Sequence, residues 1–244
     1  MTLLPDYSYA QLRSLAARLR AGGPADSQPA GLGRLVDDIG THGAATVLDC
    51  LADERERGER RADQRLELVW SGPEQDGAGS RDTPALVRQL FKSAERTVIV
   101  SGYVVYDGEN IFDELAARIS LHPLMECWLC LNIRRNAGDD RADDAIVREF
   151  AGRFFRQDWP WSPRPRLFYD PRALAKESAE RAVLHAKCIV VDDERALVTS
   201  ANLTEAAYYR NIECGVLVSD HVFAKQLADQ FRGLIGAMML REVC

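Results

Sequence analysis

His185, Lys187, Asp192, Ser200 and Asn202, followed by Glu213, are the residues of this 244-residue chain whose types and spacing could do chemistry. That chemistry would be attack on a phosphodiester. A strand turns residues i and i+2 to the same face, so His185 and Lys187 point together while Cys188 and Val190 serve the sheet. Ser200 and Asn202 repeat the spacing just after the next apolar run. Between the runs Cys188 to Val191 and Ala196 to Val198 lies Asp192-Asp193-Glu194-Arg195, a polar stretch that predicts a hairpin turn. An imidazole, an ammonium, a hydroxyl and an amide therefore converge on one rim. Singly, each has an ordinary explanation, such as a core histidine or a lysine that guards a strand edge. Together, five specified types at fixed spacing should arise by chance in roughly one chain in ten thousand of this length.

The segment resembles the phospholipase D superfamily signature: His-x-Lys, four residues, Asp, six residues, then Gly-Ser-x-Asn. His185, Lys187, Asp192, Ser200 and Asn202 match it residue by residue. Thr199 stands where the family usually has glycine, and a Cβ and hydroxyl there crowd the backbone that approaches the phosphate. Glu213, in Asn211-Ile212-Glu213, sits where family members carry an acidic residue on the next strand.

A phosphodiester is an anion that repels nucleophiles, and its alkoxide is a poor leaving group. A neutral imidazole can attack if cations and amide donors neutralise the nonbridging oxygens in the transition state. Lys187 and Asn202, helped by Ser200, are the candidates for that clamp. Glu213 is expected to hold the far ring nitrogen of His185 and fix its tautomer. The product would be a phosphohistidine, hydrolysed in a second displacement, and the scheme requires no metal and no cofactor. Protonating the leaving oxygen calls for a second histidine, which the family supplies from a second motif. This chain has one copy: His42, His122 and His221 begin no His-x-Lys and are read as structural or surface residues. The resemblance implies that single-motif members complete the site as homodimers, here with His185 of each chain meeting across the motif face at a two-fold axis.

Composition fits a compact enzyme. The chain is 46% hydrophobic and 28% charged, enough to bury a full core. Met1 to Pro5 shows no secretory leader, and no run reaches the roughly 18 apolar residues of a spanning helix, so a cytoplasmic protein without a membrane anchor is expected. The scattered cysteines suit a reducing compartment. Cys127 and Cys130 lie in a predicted strand, Met125 to Ile133, where residues three apart face opposite sides, so they make a poor metal clamp.

Two regions are expected. Residues 1–65 read as a helical extension: Leu12, Leu15, Ala16 and Leu19 form one stripe, Gly22 to Gly31 breaks it, and Leu32, Leu35, Val36 and Ile39 form another. Asp53 to Arg65 reads as a salt-bridged helix face. Over residues 66–244 strands and helices alternate. Strands are predicted at Leu66 to Trp70, Thr97 to Val105, Met125 to Ile133, Arg166 to Tyr169, the motif hairpin and Ile212 to Val218. Helices are predicted at Thr83 to Glu95, Asn110 to Leu121 and Asp140 to Gln157, with a last helix burying Phe223, Leu227, Phe231, Leu234 and Met238. This alternation predicts an α/β fold, a mixed β-sheet sandwiched by helices, which agrees with the phospholipase D-like domain that the motif implies.

Substrate is harder to read. A net charge of −6 offers no global attraction to nucleic acid, so a polyanion would need a local basic groove. Arg134, Arg135, Arg164 and Arg166 are candidates from an arginine-rich region diluted by Asp139, Asp140, Asp143 and Asp144. Trp159 and Trp161 could stack on bases or anchor their loop to the core. A short helical preface leading into Trp70-Ser71-Gly72-Pro73 and a single late motif is similar to the DrmC family, the phospholipase-D-like components of bacterial DISARM phage-defence systems. That resemblance implies a nuclease acting on foreign DNA, single- or double-stranded, beside other defence-system subunits. The alternatives are a lipid or small-phosphodiester hydrolase and a noncatalytic nucleic-acid-binding scaffold.

Overall fold

The computed structural model describes residues 7–22, 32–74 and 79–243, so Met1 to Pro5 and most of the Gly22 to Gly31 break lie outside the described residues. The chain divides into two compact units, Met1–Gln64 and Arg65–Cys244.

In the first unit α1 (Tyr9–Arg20) begins with a capping box. Ser8 Oγ accepts from the Gln11 N–H at 3.3 Å, and Gln11 Oε1 accepts from the Ser8 N–H at 2.8 Å. The buried stripe Leu12, Leu15, Ala16 and Leu19 packs with Leu32, Ala44, Ala45, Leu48 and Ala52 of α2 (Leu32–Arg65). Gly40, at φ 75°, breaks α2. Ile39, next to that break, is 47% exposed rather than on the expected stripe. Arg13 reaches Asp53 at 2.9 Å and Glu56 at 2.5 Å, so the start of the charged run is an ion-paired helix face.

The second unit is built on a nine-stranded mixed sheet. Its strands are β1 (Leu66–Ser71), β2 (Arg81–Asp82), β3 (Thr97–Gly102), β4 (Glu126–Leu131), β5 (Arg166–Tyr169), β6 (Cys188–Val191), β7 (Arg195–Thr199), β8 (Glu213–Val218) and β9 (Arg241–Glu242). The order is β2-β1-β8-β7-β6-β3-β4-β5-β9. β3, β4 and β5 are parallel, whereas β6, β7, β8 and β1 run antiparallel in turn. The start of β6, the end of β7, the start of β8 and the carboxyl ends of β3 and β4 therefore share one edge. Helices α3 (Thr83–Lys92), α4 (Gly108–Leu121) and α5 (Asp143–Gln157) contribute Phe91, Phe112 and Phe154 to the core on one face. α6 (Glu205–Tyr209) follows the motif, and α7 (His221–Gly236) covers the other face.

α7 corrects one expectation. It buries Ala224, Ala228 and Phe231, with Leu227 and Leu234 packed alongside, while Phe223 and Met238 are exposed. Alanines allow the helix to lie close to Val190 and Ala196 of the sheet, and that turns the larger side chains to the flanks. Cys127 and Cys130 enter the cores on opposite faces of the sheet, and burial pushes the Cys130 thiol up to about 12.

The hairpin turn depends on Asp192. Asp192 and Asp193 both adopt left-handed φ, 56° and 59°, a region that aspartate tolerates better than most residues. The buried Asp192 carboxylate accepts hydrogen bonds from the backbone N–H groups of Glu95 (3.0 Å), Arg96 (2.7 Å) and Thr97 (2.8 Å). It therefore fastens the β6–β7 turn to the start of β3.

Candidate active site

His185 and Lys187 do not lie in β6 but in the extended segment just before it. Three contacts hold that segment. The Leu184 N–H donates to Asn132 Oδ1 (3.3 Å), Ser101 Oγ donates to the Ala186 carbonyl (3.1 Å), and the Thr199 N–H donates to the Lys187 carbonyl (3.1 Å). The i, i+2 pair consequently meets as expected. Lys187 Nζ is 3.3 Å from each ring nitrogen of His185 and donates to the His185 carbonyl at 3.0 Å. The Tyr103 ring lies against the imidazole, with centroids 4.7 Å apart, and Lys187 Nζ sits 5.6 Å from the same ring. His185 is exposed and Lys187 half-buried. Burial lowers the Lys187 ammonium pKa below its ordinary value, and the nearby charge of Glu213 partly offsets this.

A second pair stands beside the first. Ser200 Oγ donates to Glu213 Oε2 at 2.5 Å, and Asn211 Nδ2 donates to Glu213 Oε1 at 3.2 Å. Both carboxylate oxygens are thus engaged, and among the described residues no hydrogen bond joins Glu213 to His185. Asn202 Oδ1 is buried and has no hydrogen-bond partner among the described residues.

Thr199 faces Gly215 across the β7–β8 ladder, where a Cβ would come within 2.7 Å of the Val198 carbonyl oxygen and 2.8 Å of Thr199 Cβ. Its hydroxyl donates to the Cys214 carbonyl (3.3 Å) and accepts from the Ala201 N–H (3.1 Å), bracing the turn that presents Ser200 and Asn202.

The sequence candidates for nucleic-acid contact separate. Trp159 is fully buried, donates through Nε1 to the Pro163 carbonyl (3.2 Å) and packs on Phe112 and Trp161, so it cannot stack on a base. Trp161 is half-buried and packed against the same core. Arg135 is also interior: it donates to the carbonyls of Leu174, Asp139 and Arg141 and pairs with Asp143. Arg166 is held by Glu242 (2.6 Å) between strands β5 and β9, and Arg164 lies over Phe155. Arg134 alone of the six is exposed beside the motif, on the wall of a cavity that also includes Tyr103.

Tyr103, Asn132 and Ser101 were not anticipated. They follow or end strands far from the motif in sequence, and only the β3–β4–β6 pairing brings them to His185. Among the described residues no group of three or more His, Cys, Asp or Glu could hold a metal ion, and no helix is long and apolar enough to cross a membrane.

Residues 87–235 match the family model described as cardiolipin synthase, PLD-like domain. The chain is 30% identical over 153 residues to the DISARM protein DrmC of Bacillus paralicheniformis, covering 63% of this chain and 56% of that relative. It therefore spans little more than half the length of that relative. Among solved structures it is similar to Nuc, a phospholipase D family member from Salmonella typhimurium (19% identity, TM-score 0.46, covering 72% of this chain and 96% of that one). It is also similar to NucT from Helicobacter pylori (12% identity, TM-score 0.47, covering 70% and 96%). The family match encloses the paired His185 and Lys187, the braced Ser200 turn and Glu213, so the chain belongs to the phospholipase D-like family.

Proposed function

We propose that this protein is a metal-independent phosphodiesterase, a DNA nuclease of a bacterial phage-defence system, acting through a phosphohistidine at a site shared across a homodimer. The carrying observation is the His185–Lys187 pair presented at an exposed rim beside Ser200 and Glu213. One His185 imidazole attacks phosphorus, the P–O bond to the leaving group breaks, and a protonated His185 of the partner subunit gives its proton to the departing alkoxide. Water then attacks the phosphohistidine, the now neutral imidazole of the partner takes the water proton, and the P–N bond breaks to leave a phosphomonoester. Lys187 and Asn202 would stabilise the nonbridging oxygens, and Ser200 would hold Glu213 beside the lysine.

Placement of the other histidines supports a second chain as the source of the acid. His221 Nδ1 meets the Asp193 carbonyl at 2.9 Å, at the turn end of the hairpin, opposite the rim. His122 caps the carboxyl end of α4. Exposed Tyr209 and Ile212 add apolar surface beside the motif that a second copy would cover. The similarity to DrmC supports the defence role and other defence-system subunits as partners, and nuclease action in the cytoplasm fits that setting.

The test offers the protein plasmid DNA, short single strands and a phosphatidyl substrate, all in chelator. DNA cleavage without metal is the expected result. Lipid turnover alone would replace the reading with a lipid hydrolase, DNA binding without cleavage would replace it with a scaffold, and an active monomer in sedimentation would exclude the shared site.

The lowered Lys187 pKa gives a pH dependence. The ammonium is present below that pKa and lost as pH rises through it, so kcat/KM should fall at a lower pH than an ordinary lysine would give. Lys187→Arg should move this alkaline limb upward. Glu213→Gln, which removes the charge that raises the pKa, should move it further downward, and a pH–rate profile reads both.

A further inference from the structure

Beside His185, at the carboxyl ends of β3 and β4, lies a cavity of about 560 Å³. This is the edge at which ligands bind open sheets where the strand order reverses, as it does between β3 and β6. Tyr103 forms part of its wall and also lies against the His185 ring, so a single aromatic side chain links the cavity to the imidazole. Asn132, which secures the segment before His185, is a second shared wall. A smaller cavity of about 340 Å³ shares Tyr103, Asn132 and Arg134 and continues past Val183. The two together make a trough that reaches the motif through Tyr103 and Asn132.

The charges in this trough do not cancel. Arg141 is neutralised by Asp139 (2.7 Å) and Glu149 (2.5 Å), the two carboxylates on the wall. Arg134, Arg153 and Arg156 make no ion pair among the described residues, although Arg153 lies over the Phe150 ring, 5.3 Å from its centroid, and its charge is felt by the Asp158 carboxylate. Between them and the motif stand Tyr103 and Tyr106, the latter 58% exposed. Unpaired arginines interleaved with accessible aromatic rings are the combination that holds a single strand, phosphates on the cations and bases on the rings. The volume falls in the range of small-ligand sites, on the order of 300–1,000 Å³. An unstacked nucleotide can enter such a space, whereas the bases of an intact duplex cannot without being extruded.

Resting on the nuclease reading above, we infer that this trough binds a single-stranded polynucleotide, with Arg134, Arg153 and Arg156 on its phosphates and Tyr103 and Tyr106 against its bases. The protein therefore discriminates against duplex by shape. The test measures binding on full-length His185→Ala protein, so a failure to cleave cannot be mistaken for a failure to bind. Fluorescence anisotropy is recorded with a labelled oligothymidine, and with a blunt duplex of the same length. The single strand is expected to bind at least ten-fold more tightly. Arg153→Ala with Arg156→Ala should weaken it ten-fold or more and reduce the slope of log K against log salt by about 1.4, at about 0.7 per phosphate contact. Lysine at both positions should keep the slope, and Tyr106→Ala should weaken binding with the slope unchanged. Lys225→Ala, on α7, serves as the unaffected control. Equal or tighter binding of duplex, indifference to the arginine changes, no binding at all, or binding of phosphatidylglycerol vesicles lost in the same variants would each overturn the inference. The nuclease reading fails separately, when protein retaining His185 binds the strand and leaves it intact.

Discussion

Replacing His185 by alanine is expected to lower phosphodiester hydrolysis by a factor of roughly one thousand or more, because in the proposed mechanism it removes the nucleophile and, by symmetry, the general acid. Folding should be spared. The side chain is exposed, and the contacts that hold its segment come from Leu184, Ala186 and Lys187, so the melting temperature should stay within about 1 °C of wild type. A mixing experiment sharpens the expectation. If each site needs one imidazole from each chain, a dimer with one substituted subunit is inactive. At equal mixing with free exchange, activity should then fall to about one quarter of that of wild type alone, since only that fraction of dimers is wild type in both halves. Independent sites would leave about one half. A titration of inactive into active protein that follows the linear law would sink the shared site while leaving His185 as nucleophile.

The second large effect is on stability. Asp192→Ala deletes a carboxylate that receives three backbone N–H groups and puts a Cβ-bearing residue without a polar side chain at φ 56°. Charge-assisted bonds of this kind contribute about 1.5–3 kcal/mol, and a left-handed residue costs about 1–2 kcal/mol more for alanine, so a loss of roughly 3–4 kcal/mol is expected. For a unit of this size that corresponds to a drop of roughly 6–15 °C in the melting temperature. All four tryptophans, at 70, 128, 159 and 161, lie in the second unit, so their fluorescence reports its unfolding without interference from the first. Asp192→Asn, which keeps one acceptor oxygen and tolerates the backbone, should lose about half as much. Equal stability of the alanine variant and wild type would show that the carboxylate is not what fastens the hairpin.

The motif was legible because it is local. His185 to Asn202 is a single hairpin with its flanks, and its two ends face one edge whatever the rest of the chain does. The alternation of elements likewise carried the mixed sheet and its covering helices. What the sequence left open or misread depends on distant partners. Trp159 in a proline-rich loop stays open between base stacking and anchoring its loop until α4 brings Phe112 against it. Arg135 looks like a free cation until three carbonyls and Asp143 enclose it. The stripe on α7 was misphased because hydrophobic periodicity gives weight to large side chains, while the closest approach to the sheet uses Ala224 and Ala228. Tyr103 and Asn132 carry no signal at all in one dimension. Their meeting with His185 is a property of strand order.

Gly215 is the fixed member of the pair that it makes with Thr199. A Cβ there would come within 2.7 Å of the Val198 carbonyl oxygen, a backbone atom that no change at position 199 removes, and within 2.8 Å of Thr199 Cβ. The glycine that this turn cannot exchange therefore stands sixteen residues after Thr199, on the neighbouring strand, and not just before the serine. In comparing related chains, a side chain at that later position is the mark of a hairpin that can no longer present its serine and asparagine in this way.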